Sequence, residues 1–420
     1  MEAEQREQND AWSLRQVLKA APLFLIFFMW SFGSGGIQLA RPLFAFQVTE
    51  SIFLVTVMVS ITGTARILAG PLTGFLTDRF GRKPLVIFGA ALRGAGSLGQ
   101  FFVDDYVTFI VLEFFAQAGV AIFITSATVL ISDVTTRETR GRFLAVRTLS
   151  GRFGQVAGPA TGGLIASLVA LKWVFLFDSI TKFGIVLVVL LLIRESRPTG
   201  DRAPAVATVA STAANDATAK PTKGRINLKP FANRTFVALG AATIAGTVLQ
   251  QGITFSVLPV YATQEVGITA GGLGALVSMA ALLGMLVAYP NGMVSDRFGR
   301  KYSLAPGLMM LALGAVLLAL SPTYAVLVLA MMAFGAGEGV IIGTTQAFVM
   351  DLAPTEGRGA FLGLWTTVRS VPSVLVPLLM GGLYASVGAT VAFVVAGGWL
   401  AFSALLVVAL ARESAGRTRR

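Results

Sequence analysis

The hexapeptide Asp78–Lys83 (DRFGRK) returns letter for letter as Asp296–Lys301, 218 positions later. The same offset carries Asp133, Arg140, Gly141 and Leu144 onto Asp351, Arg358, Gly359 and Leu362. It carries Pro159 and Gly163 onto Pro377 and Gly381, and Arg194-Glu195-Ser196 onto Arg412-Glu413-Ser414. Shared apolar composition alone does not hold polar positions in register across so much chain, so the halves are copies of one unit.

What that unit is follows from the stretches around the hexapeptides. Apolar residues make up 55% of the 420 residues, 46 more are glycine, and charged residues fall to 13%. A globular domain carries about twice that charge, ~25%. Such a chain cannot cover a water-facing surface and reads as a polytopic membrane protein. Runs long enough to span a bilayer, about 20 mainly apolar residues, fall at about 21–43, 51–77, 84–102, 106–131, 143–170, 173–193, 235–262, 269–294, 302–320, 324–350, 359–386 and 390–411. An even number of spans in each half makes the repeat parallel, about an axis along the membrane normal. The polar, acid-containing segment Met1–Ala20 leads into the first span with no small-residue cleavage site, which reads as a retained helix rather than a signal peptide. Residues 1–197 form the first six-helix bundle and 235–420 the second. Between them, 198–234 is a flexible linker, Ala/Thr/Pro-rich and free of aromatic residues over 198–224.

A net charge of +12 raises nucleic acid as a partner, but the distribution of charge answers otherwise. If the N-terminus is cytoplasmic, 26 of the 33 Lys and Arg residues fall in cytoplasmic segments, as short-loop charge bias requires. Both termini and the linker are therefore expected in the cytoplasm of a cell-membrane protein, with no nucleic-acid partner. With no Cys there are no disulfides, thiolate metal sites or cysteine nucleophiles. With no His, protons near neutral pH pass through Asp or Glu. No cofactor, metal or nucleotide-binding loop is expected. A membrane enzyme or receptor is a remote reading, because the usual metal clusters and nucleophile triads lack their parts.

The loop Gly74–Lys83 (GFLTDRFGRK), between the second and third spans, resembles the major facilitator superfamily signature G-x-x-x-D-R-x-G-R-K at each defined position, and NGMVSDRFGRK repeats it in the second half. With the duplicated spans and the central linker, the resemblance covers essentially the whole chain. It implies an all-α fold of two six-helix bundles and a transporter, not an enzyme. Physically, Gly74 permits close helix packing and Gly81 a positive φ. Arg79, Arg82 and Lys83 favour the anionic cytoplasmic surface. Asp78 is an acid among bases, and the resemblance implies that it latches onto the start of the eleventh span. The duplication gives Asp296, beside Arg300, the same relation to the start of the fifth. Those starts carry Arg358-Gly359 and Arg140-Gly141.

In the fifth span, Gly154, Gly158, Pro159, Gly162 and Gly163 fit the G-x-x-x-G-P-x-x-G-G pattern of the superfamily's proton-coupled exporters, notably drug/proton antiporters. The eleventh span keeps Pro377 and Gly381 but has Pro372 and Val376 where glycines would stand. There is one departure. Those exporters usually carry an Arg in the fourth span, whereas the stretch here reads Glu113-Phe-Phe-Ala-Gln117-Ala-Gly119. The first span has no intramembrane acid, so the usual coupling scheme does not transfer.

Ionisable groups inside spans are functional candidates by default. Arg41, Arg147 and Lys172 lie near span ends and read as snorkelling. Asp178 and Lys182, at i and i+4, read as a structural pair, and Arg93 has no evident partner. Arg66, Glu113, Arg152, Glu338 and Arg369 are the cavity candidates. Glu338 lies ~21 Å into its span and Arg369 ~15 Å into its antiparallel neighbour, so they are expected to meet near the midplane. Burial favours the neutral form of a carboxylate and a cation its charged form, the balance a proton carrier needs; a permanent ion pair between the two spans is the structural alternative. The expectation is a monomeric secondary transporter exporting a small organic molecule against protons by alternating access. A proton-coupled uptake symporter or facilitator for a small solute, an anion included, is the alternative.

Overall fold

The computed structural model describes residues 14–134, 137–193, 234–320, 322–352 and 358–411. Within them the chain forms α1 (Leu14–Thr49), α2 (Ile52–Phe80), α3 (Arg82–Phe102), α4 (Tyr106–Val134), α5 (Arg137–Leu168) and α6 (Trp173–Leu192). The second half forms α7 (Arg234–Gln264), α8 (Ala270–Phe298), α9 (Arg300–Leu320), α10 (Tyr324–Leu352), α11 (Arg358–Val387) and α12 (Ala389–Leu410). In a bilayer each backbone N–H and C=O must be satisfied within its own segment, which leaves the helix as the conformation for such runs. The connection expected to act as a tether, 198–233, lies outside the described residues.

Eleven of these helices are long and apolar enough to cross a membrane. The exception, α5, is arginine-rich in its first half and glycine-rich in its second. It can be so because it packs along α1 and α8. Alongside the buried core, many large apolar residues point outward, as lipid-facing helices require: Leu68, Leu191 and Leu320 are exposed.

The duplication extends to local structure. Ser51 caps α2 and its counterpart Thr269 caps α8, each side chain accepting from the N–H three residues on. Gly81 (φ 91°) and Gly299 (φ 110°) turn the chain at the ends of the same two helices, where a side chain would be strained.

The halves meet at the end opposite the linker, and there too the contacts are paired at the 218-residue offset. A Cβ on Gly163 would lie 3.0 Å from Cα of Gly274; the same relation places Gly381 against Thr56. Beside Pro159 the Ala160 N–H donates to Ser278 Oγ at 2.9 Å, and three residues before Pro377 the counterpart Ser60 donates to the Val374 carbonyl at 2.7 Å. Proline removes a ladder bond and loosens the helix around it, and a serine from the opposite half takes up a backbone group at each place. Ser167 adds a third contact, accepting from the Gly271 N–H at 2.6 Å. Gly154, Gly158 and Gly162 face the other way, onto α1: a Cβ on Gly158 would lie 2.4 Å from the Phe32 carbonyl oxygen.

Candidate functional site

Between the halves lies a cavity of about 270 Å³, walled by α1, α2 and α5 on one side and α7, α8 and α10 on the other. It adjoins a second space of about 480 Å³, with which it shares Arg66, Gln250, Gln251 and Glu338. The second space runs along α10 and α11 as far as Val349 and Trp365, near the linker-side ends. The site is therefore sealed at the far end by the paired contacts and extends toward the linker side.

The first half presents a polar network to this cavity. Arg41 Nη1 donates to Glu113 Oε1, which also accepts from Gln117 Nε2 at 2.6 Å. Glu113 Oε2 accepts from Gln100 Nε2 at 2.9 Å and lies 3.6 Å from Arg93 Nη1. Arg93 Nε donates to Asp178 Oδ2 at 3.0 Å, and Ser97 donates to the same oxygen at 2.7 Å. Lys182 Nζ completes the chain, 2.7 Å from Asp178 Oδ1, donating to the Trp30 carbonyl and standing over the Trp30 ring. Glu113, Asp178 and Lys182 are completely buried. Burying such charges is sustainable only because each carboxylate is met on both oxygens. Arg41 and Arg66 both line the cavity, but Arg41 is committed to Glu113, whereas Arg66 donates from Nε and Nη2 to Gln117 Oε1 at 3.0 and 2.8 Å and remains exposed to the cavity.

The second half answers with one acid. Gln250 Nε2 donates to Glu338 Oε1 at 2.7 Å. The Val248–Val257 stretch of α7 is π-helical, a local widening common at functional sites. It turns the adjacent Gln250 and Gln251 to the cavity together.

Several expectations need correction. Glu338 and Arg369 both line the linker-side space but form no ion pair within 4 Å; Glu338 is held by Gln250 instead. Depth along a helix fixes height in the membrane, not the direction in which a side chain leaves the axis. Arg41 does not snorkel, since it turns inward to Glu113. Arg93 has partners, Asp178 and Glu113, and the Asp178–Lys182 pair is one end of a longer network. Arg152, partly buried on α5, does not itself line the cavity but lies near enough to Glu338 to act on it electrostatically. Arg147 stands over the Phe27 ring and Lys172 meets Asp104. Gln100 and Gln250 are not among the sequence candidates, and Gln117 stands there only as part of the Glu113 stretch. Uncharged amides within apolar spans were their signal.

Among the signature residues, Arg79 is exposed and Arg82 buried. Asp296 pairs with Arg300 at 2.8 Å, and Arg300 Nε lies 3.5 Å from Asp351. Gly74 lies within α2, and the side chains of Asp78, Arg140 and Arg358 are outside what the structure describes.

The comparisons agree with this architecture. The family model described as Major Facilitator Superfamily matches residues 23–250 and 240–420. The chain is 25% identical over 343 residues to the Escherichia coli tetracycline resistance protein, class C, covering 80% of this chain and 81% of that one. It is 28% identical over 159 residues to the Staphylococcus aureus quinolone resistance protein NorA, covering 37% of this chain and 40% of that one. Among solved structures, a D-xylose-proton symporter superposes with a TM-score of 0.73 at 16% identity, over 94% of this chain and 98% of that chain.

Proposed function

The chain belongs to the Major Facilitator Superfamily, a family of transporters rather than enzymes, and from that premise we propose that it exports small organic molecules in exchange for protons by alternating access. The observation that carries this reading is Glu338. Among the described residues it is the one carboxylate lining the cavity. Glu113 is buried and engaged on both oxygens, so it serves as a fixed counter-ion rather than a carrier. Glu338 has a neutral partner, Gln250, whose amide can serve either its charged or its protonated form.

The Lys/Arg distribution puts the linker side in the cytoplasm of a cell membrane. The cavity reaches toward that side, where an exporter working as a monomer loads its substrate. Export also accords with relatives named for resistance to tetracycline and to quinolones. In the alternate state, Asp78 latches onto the start of α11 and Asp296 onto the start of α5. A carboxylate at a helix N-terminus stabilises by ~0.3–1 kcal/mol when exposed.

The test is transport in proteoliposomes with an imposed pH gradient, using a panel headed by tetracycline and a quinolone. Accumulation in the compartment from which protons leave supports exchange. Movement of substrate with the proton would instead make the chain an uptake symporter.

A further inference from the structure

The cavity walls are oppositely charged, and this sets the class of substrate. The network joined through Glu113 holds Arg41, Arg66, Arg93 and Lys182 against Glu113 and Asp178, an excess of two positive charges. The excess comes to the surface at Arg66. Two of its donors converge on one neutral amide oxygen, Gln117 Oε1, and the guanidinium lines both parts of the cavity. An arginine fork offered to a cavity fits a carboxylate, sulfonate or phosphate. Across the cavity, Glu338 is the acid of the opposing half, hydrogen-bonded by Gln250 and acted on from farther away by Arg152 of α5.

Resting on the reading of this cavity as the substrate site, we propose that the transported molecules are dipolar: an anionic group binds at Arg66 in the first half and a cationic group at Glu338 in the second. Apolar walls from Met58, Phe255, Met331 and Phe334 take the body between the two ends. The arrangement also explains exchange for protons. A proton on Glu338 removes the partner of the substrate's cation, so proton and substrate exclude one another. A purely anionic substrate would do the opposite, because neutralising Glu338 would strengthen its binding.

Equilibrium binding to the purified full chain in detergent tests this with one ring system in four charge states: aminomethyl-naphthalenesulfonate, naphthalenesulfonate, naphthylmethylammonium and naphthylmethanol. The dipolar probe should bind roughly tenfold more tightly than either singly charged one, about the discrimination one well-placed charged contact supplies. Arg66→Gln should reduce the dipolar probe to the level of the ammonium probe, and Glu338→Gln to the level of the sulfonate. The ranking on the unaltered chain stands even if a variant fails to fold. A singly charged or neutral probe binding as tightly as the dipolar one, or no binding of the dipolar probe, overturns the proposal. So does competition by inorganic sulfate as strong as that by naphthalenesulfonate, which would assign Arg66 to a simple anion. The ranking needs no gradient, so a failure of proton exchange in proteoliposomes would leave it intact and sink only the export reading.

Discussion

Glu113 and Glu338 are both membrane-embedded acids, and their surroundings give them different work. Glu113 neutralises Arg41 and approaches Arg93, with two glutamines completing its shell. Removing one partner of a buried ion pair strands the other charge, at a cost of about 3–5 kcal/mol. Glu113→Gln should therefore lower the thermal unfolding temperature in detergent markedly, whereas Glu338→Gln should leave it nearly unchanged; equal temperatures for the two would refute the division of labour. At this scale the sequence was informative about candidates and poor on partners. Arg41 and Glu113 are 72 positions apart, and no periodicity foretells that they touch. The network also has no copy in the second half, where Leu311, Met331 and Ala396 stand in place of Arg93, Glu113 and Asp178. The duplication that reveals the fold is thus silent about the site.

At the scale of helices, the repeat reads more deeply than its loops suggest. Pro159, Gly163, Pro377 and Gly381 were visible as recurring letters, and their meaning needed the opposing helices. Each proline marks where a serine from the other half meets the backbone, and each glycine marks where the helices touch. A side-chain hydrogen bond inside a membrane protein contributes on average ~0.6 kcal/mol, about threefold in a population ratio. Ser60→Ala and Ser278→Ala should each shift the balance roughly threefold toward the state open at the far end, and together about the product. Labelling of a single Cys placed among the sealed residues reads this out without background, since the chain has no Cys of its own. No change in either variant would mean that the serines do not hold the seal. The span count was legible because hydropathy is a sum over many residues. α5 was the hard case, and its polar composition is tolerable because α1 and α8 cover it.

For the whole molecule, sealing at one end must alternate with sealing at the other, and the duplicated DRFGRK loops stand at the second place. Asp78→Asn and Asp296→Asn should each raise labelling of a cavity Cys from the linker side. A latch of ~1.4 kcal/mol would change the ratio about tenfold. An effect from Asp78→Asn alone would mean that only one loop latches. The central claim, however, is that Glu338 carries the proton through a cavity that alternates between two sides, and one measurement bears on it most directly. Reconstituted Glu338→Gln should lose uphill transport driven by a pH gradient while still exchanging labelled for unlabelled substrate across the membrane once substrate is raised about tenfold to offset its weaker binding. Uphill transport surviving in Glu338→Gln, with a normal response to the gradient, would place the proton elsewhere and contradict the account.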